Sequence, residues 1–294
     1  MTNQDLLQIA EEFGTPVYVY DADSIKSQYE KLTTSFAEST KFFYACKSLT
    51  NINILKYVEK LGANLDCVSI NEVKLGLKAG FSPERILFTP NCVDLAEIEE
   101  AMALNVHINI DNISILEQFG TKYGDSYPVF LRINPHIFAG GNYKISTGHI
   151  DSKFGISIHQ MRHIERVMKS TNLNIEGLHM HTGSEIKDPE VFLQGLEIMF
   201  ELSESFPNLK YIDMGSGFKV PYQKGELETD VKALGKKVEK AVAQFKKETG
   251  KDFELWFEPG KYLVSKSGHF LVKSNVIKQT TATVFVGVNS GFNH

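Results

Sequence analysis

The chain has 294 residues, 42% hydrophobic and 23% charged, enough apolar material for one large domain or two ordinary ones. Its 31 basic and 36 acidic residues leave a net charge of −5 with no long run of either sign, which argues against nucleic acid or a membrane surface as partner. There is no apolar stretch of about 18 residues and no secretory leader, and Cys46, Cys67 and Cys92 read as reduced thiols, so the expected location is the cytoplasm. No ligand spacing suits zinc, and no metal is expected.

In chain order, a short N-terminal helix leads into a strand over 15–21. Eight apolar runs follow at 42–46, 63–68, 85–89, 106–110, 128–133, 175–181, 209–214 and 253–258. Between them, stretches such as 51–61, 71–79, 95–104, 159–169, 189–206 and 228–247 repeat apolar residues at three and four, the helical period. Strand alternating with helix predicts a parallel sheet with right-handed crossovers, and eight units fit a closed (β/α)8 TIM barrel. A doubly wound open sheet is the alternative. No Gly-x-Gly-x-x-Gly follows the first strand, which weighs against a dinucleotide-binding sheet. Segments 268–280 and 283–288 alternate β-branched and polar residues without intervening helices and read as further strands. The expected division is therefore a barrel over 22–264, with 1–21 and 265–294 forming a partial second β domain.

Alternate residues of a barrel strand point inward. That parity groups Phe43, Ala45 and Lys47; Asn64 and Asp66; Arg132 and Asn134; His179 and His181; Asp213 and Gly215; Trp256 and Glu258. Polar residues gather near the carboxyl ends of the runs. Aiming so many ionisable groups at a barrel axis is costly unless they partner one another or a ligand. Lys47 ends the first run. Taken alone it reads as a surface lysine; in this company it reads as a Schiff-base nucleophile, its amine pKa lowered by desolvation. Gly215-Ser216-Gly217 after the seventh run would let backbone N–H groups approach a phosphate, and Thr182 and Ser184 add hydroxyls nearby. Glu258 supplies a carboxylate at the end of the eighth run. An amine, a phosphate cradle and a carboxylate are what pyridoxal phosphate requires.

Tyr44-Ala45-Cys46-Lys47, Asp66-Cys67-Val68-Ser69, Ser152-Lys153-Phe154-Gly155, Gly177 through Ser184, Gly215-Ser216-Gly217 and Glu258-Pro259-Gly260-Lys261 occur in this order. The set resembles the diaminopimelate decarboxylase family, of the alanine-racemase-like pyridoxal-phosphate barrel fold, over essentially the whole chain. The resemblance implies pyridoxal-phosphate-dependent conversion of meso-2,6-diaminopimelate to L-lysine and carbon dioxide, the last step of lysine biosynthesis. It implies that Lys47 binds the cofactor covalently and that His181 stacks on its ring. Ser184, Gly215, Ser216 and Gly217 would take the phosphate, and Glu258 the ring nitrogen. Asp66, Gly260 and Arg132 would support the site. Lys261 would meet the substrate's carboxylate where most relatives carry Arg, with the bidentate geometry lost. His179 reads as a supporting residue. The resemblance also implies a homodimer with sites at the interface. Family members continue for about a hundred further residues, so the expectation is a fragment that binds cofactor but decarboxylates poorly.

The rival readings are a decarboxylase of carboxynorspermidine, arginine or ornithine, a non-catalytic pyridoxal-phosphate-binding barrel, and a cofactor-free Schiff-base aldolase. The Ser-Lys-Phe-Gly motif and the closing Ser290-Gly291-Phe292-Asn293 favour diaminopimelate.

Overall fold

The computed structural model describes residues 1–137 and 152–292, so Asn293 of the closing motif lies outside the described residues. Helix α1 (Asn3–Phe13), strand β1 (Val17–Tyr20) and helix α2 (Ala22–Thr33) come first. Strand and helix then alternate through β2 (Lys41–Ala45), α3 (Ile52–Lys60), β3 (Asn64–Cys67), α4 (Ile70–Ala79), β4 (Ile86–Phe88), α5 (Leu95–Ala103), β5 (His107–Ile110), α6 (Ile113–Tyr123) and β6 (Val129–Asn134). The second half adds a two-residue β7 (Ile156–Ser157), α7 (Met161–Thr171), β8 (Ile175–His179), α8 (Pro189–Ser203), β9 (Tyr211–Asp213), α9 (Val231–Thr249) and β10 (Glu254–Phe257). Last come α10 (Lys261–Val264), β11 (Gly268–Leu271), β12 (Ser274–Gln279) and β13 (Val284–Val288).

Strands β2-β3-β4-β5-β6-β8-β9-β10 pair in parallel, and β10 pairs with β2, closing the ring. The predicted (β/α)8 barrel is therefore the fold. Its helices start where the sequence supplies caps: Asn51, Ser69, Asp94 and Asn112 each accept a backbone N–H of the following helix. Each such cap contributes about 1 kcal/mol. The main core lies between sheet and helices, where Leu55 and Val58 of α3 and Leu116 and Phe119 of α6 are fully buried.

A second, smaller cluster fills the lower barrel interior: Phe43, Leu87, Phe130 and Trp256, with Tyr211 packed against them. The Phe43 and Trp256 rings lie 4.2 Å apart, and Phe130 and Trp256 5.0 Å. Gly177 makes room for Phe130, whose ring carbon would sit 2.2 Å from a Cβ there.

Outside the barrel the segment 268–280 is not one strand. It splits at Val272-Lys273: β11 pairs antiparallel with β1, and β12 with β13. Asn289 fixes the junction. Its Oδ1 accepts the Lys273 N–H at 2.8 Å and its Nδ2 donates to the Thr15 carbonyl at 2.8 Å, tying the β12–β13 hairpin to the N-terminal strand. Val276, Ile277, Phe285 and Val286 of the hairpin are exposed. No described helix is long and apolar enough to cross a membrane.

Candidate active site

Two residues beyond the aromatic layer, each inward strand changes character. Leu87 gives way to Thr89, Phe130 to Arg132, Gly177 to His179, Tyr211 to Asp213 and Trp256 to Glu258; Asp66 joins them from β3. Thr89, Arg132, His179, Asp213, Glu258 and Asp66 are all buried. The parity reading placed all of these but Thr89 on one face, and the closed ring brings them to one level at the carboxyl end, where barrel enzymes carry their chemistry.

Past β2 the chain makes a 3₁₀ turn, Cys46–Ser48, that carries Lys47 over this layer. Lys47 Nζ donates to Asp66 Oδ2 at 2.8 Å, and Thr89 Oγ1 donates to the other Asp66 oxygen. The Lys47 side chain is half exposed at the barrel mouth, whereas Asp66 is wholly buried. The expected depression of the Lys47 amine does not occur. Desolvation opposes the ammonium, but the Asp66 and Glu258 carboxylates outweigh it and the amine's pKa is raised. Burial and the Glu258 charge also raise Asp66, so the pair holds its proton tightly between them.

Across the mouth, His181 follows β8. Its Nδ1 accepts the Ser216 N–H at 3.3 Å. Burial and the Arg132 charge keep both His179 and His181 neutral, with pKa values well below the usual imidazole range. The loop 215–217 needs glycine at both ends. Gly215 has φ +61° and a Cβ there would meet the Met180 carbonyl at 2.6 Å; Gly217 has φ +103° and would meet the Gly183 carbonyl at 2.2 Å. Ser184, half-buried, stands on the adjoining turn. The result is a bare backbone cradle beside an imidazole, suited to a phosphate.

Glu258 lies at the foot of this cradle. Its N–H donates to the Gly215 carbonyl at 2.7 Å, and its Oε2 lies 3.2 Å from His179 Nε2. Gly260 packs against the Lys47 turn: a Cβ there would lie 2.1 Å from Ser48 Oγ. Arg132 stacks under Phe154 of the Ser-Lys-Phe-Gly motif, 4.7 Å from the ring centre. Lys261 sits at the outer rim, its Nζ 2.5 Å from Glu185 Oε1, while Lys219 holds Glu185 Oε2 at 2.5 Å. These two ammonium donors overcome burial and lower the Glu185 pKa.

Sequence reasoning missed three members. Thr89 lay on the inward parity at a strand end, a signal available but unused. Asp213 was placed on the inward face and given no role. Glu185 carried no signal, because its backbone φ of +63°, which aims it at two lysines, is not written in residue type.

Pyridoxal phosphate fits this donor set. The site offers an amine at the mouth, a cradle that any Cβ would fill, and a buried carboxylate whose Oε1 has no hydrogen-bond partner among the described residues. Comparison with known proteins agrees. The family model for the pyridoxal-dependent decarboxylase pyridoxal binding domain matches residues 22–265. The diaminopimelate decarboxylase of Methanothermobacter thermautotrophicus is 32% identical over 298 residues, covering 98% of this chain and 69% of that protein. A crystal structure of diaminopimelate decarboxylase superposes with a TM-score of 0.89 at 32% identity, over 99% of this chain and 69% of that one. The Helicobacter pylori enzyme complexed with L-lysine gives 0.87 at 28% identity, over 99% of this chain and 74% of that one.

Proposed function

The chain belongs to the pyridoxal-dependent decarboxylases of the diaminopimelate type, and from that premise we propose that it converts meso-2,6-diaminopimelate to L-lysine and carbon dioxide. The observation that carries the reading is the meeting of Lys47, Glu258 and the Gly215–Gly217 cradle at one end of one barrel. When bound, pyridoxal phosphate supplies the electron sink that accepts the electrons left as carbon dioxide departs.

The chain's own residues have separate tasks. Lys47 is the anchoring amine. Its 2.8 Å hydrogen bond to Asp66 holds it at the mouth, and Thr89 keeps that carboxylate in place; the deprotonated amine is the nucleophile. The N–H groups around Gly215, Ser216 and Gly217, with the Ser184 hydroxyl, would hold the phosphate. Glu258 would take the ring nitrogen and favour its protonated form. His181, neutral and fixed by Ser216, would lie against the ring. Gly260 keeps the strand end close to the Lys47 turn. Lys261 remains a cation, because its bond to Glu185 overcomes desolvation, and offers that charge to a substrate carboxylate.

Residues 22–264 form the cofactor-binding barrel in this reading, and 1–21 with 265–294 a second unit. Cytoplasmic location and a homodimer belong to the same proposal, the latter read by light scattering. The central test is Lys47→Ala. The visible absorbance of bound cofactor should vanish and lysine formation should fall by on the order of 10⁴-fold. Retained lysine release from diaminopimelate, or preference for ornithine, arginine or carboxynorspermidine in the parent protein, would overturn the assignment.

A further inference from the structure

Asp213 ends β9 two residues before the phosphate cradle, and it is fully buried. Its Oδ1 accepts the Gly215 N–H at 2.8 Å, but its Oδ2 has no partner among the described residues. Glu258 presents Oε1 in the same condition, and its N–H holds the other side of Gly215. Ligand atoms of His179, Asp213 and Glu258 all lie within 4.8 Å of one another. Two carboxyl groups this close, with neutral His179 beside them, cannot both be ionised in a dry interior. A proton on Asp213 lets it donate to the Glu258 carboxylate, whose remaining lone pairs stay available to the ring nitrogen, because a protonated carboxyl donates where an ionised one only accepts.

The surroundings decide which carboxyl keeps it. Burial raises both groups. At Glu258 the Lys47 and Arg132 charges offset that effect; at Asp213 the Glu258 and Asp66 charges add to it, against the Gly215 N–H and Arg132, and its pKa stays well above the usual carboxylate range. The titratable and charged groups facing the pair are Lys47, Asp66, Arg132 and His179, with Asp111 and His181 beyond them. Lys47 and Arg132 already supply two positive charges at this level, which favours a shared proton over a bound cation among the three side chains.

We propose that Asp213 is a positioning residue acting as a neutral carboxylic acid: one oxygen anchors the phosphate cradle through Gly215, and the O–H on the other donates to Glu258, holding it ionised and aimed at the ring nitrogen. A single side chain then sets the spacing between the group that takes the phosphate and the group that takes the ring. An enzyme carboxyl kept neutral by its surroundings so that it can donate is established chemistry. The inference rests on the reading of Glu258 as the ring-nitrogen partner.

The test uses the full chain stripped of cofactor and titrated with pyridoxal phosphate, followed by visible absorbance across pH, together with infrared spectra of the stripped protein. Asp213→Ala should weaken cofactor binding about 10- to 100-fold, the value of a hydrogen bond to a charged group. Asp213→Asn keeps both an acceptor for Gly215 and a neutral donor for Glu258. It should recover most of that loss, to within about threefold of the parent, and move the high-pH limb of binding upward. The parent should show a protonated-carboxyl C=O band that Asp213→Asn lacks. Binding by Asn as weak as by Ala, or no loss in either variant, overturns the proposal. Absence of the infrared band does so independently, even if Asp213→Ala fails to fold. A parent chain that binds no pyridoxal phosphate would instead sink the reading of Glu258, leaving the infrared arm to decide on Asp213.

Discussion

The two layers inside the barrel differ by one step of two residues along the same strands, yet they obey opposite rules. The lower layer, Phe43, Leu87, Phe130 and Trp256, is apolar and closely packed, with the His107 ring edge-on to Phe130 and Trp256. The upper layer, Asp66, Arg132, His179, Asp213 and Glu258, is as buried but holds orphaned polar atoms and displaced pKa values. The lower layer stabilises through area and contact; the upper one gives up stability to hold charged groups ready for a ligand. Perturbed pKa values thus mark the site, and the buried aromatic floor lies beneath it.

Substitutions can break this contrast at either layer. The largest stability effect is expected from Phe130→Ala. Gly177 opposite cannot fill the gap, so the change should cost about 3–5 kcal/mol in denaturant unfolding. A loss below about 1 kcal/mol would show that the floor collapses easily and carries little. Glu258→Gln should do the reverse. It keeps the shape, so the fold stays stable, but removing the carboxylate from the ring nitrogen should lower kcat about 10²- to 10³-fold. An unchanged kcat would remove Glu258 from the mechanism.

A smaller effect should appear in the pH dependence of stability. Burial holds Asp66, Asp213 and Glu258 above their usual values. Between the unfolded carboxyl range near ~4 and those raised values the folded state binds more protons, so these groups make stability fall as pH rises. Asp213→Asn should flatten that fall, read as Tm against pH. An identical slope would mean Asp213 titrates normally. The smallest effect is expected at the rim. Glu185→Gln loosens the half-exposed Lys261 and the buried Lys219, which keeps Glu226 as a second partner, and should change stability by less than about 1 kcal/mol. If Lys261 meets the substrate, KM should move more than kcat; a change in kcat alone would place Glu185 nearer the chemistry.

Much of this was legible in the residues. The apolar runs and helical periods placed all eight barrel strands, because period two and period 3.6 are local properties of the chain. Parity along each run then put Lys47, Asp66, His181 and Glu258 on one face. Less legible was the region outside the barrel. The segment 268–280 keeps an even β pattern, and it divides where β11 pairs with β1 and β12 with β13, Asn289 bridging Thr15 and Lys273 at the junction.

The amino-acid sequence by itself determined which elements form, which faces they bury and which residue types can reach a barrel mouth, since each depends on neighbours a few positions away. Tertiary structure alone decided the protonation states. Lys47 looked like an amine depressed by burial; the carboxylates of Asp66 and Glu258, 19 and 211 positions further along the chain, raise it instead. The same long-range closure sets Asp213 against Glu258 and Glu185 between two lysines. Electrostatic interaction depends on distance through space and on the medium between charges, and neither is defined until the ring of strands has closed.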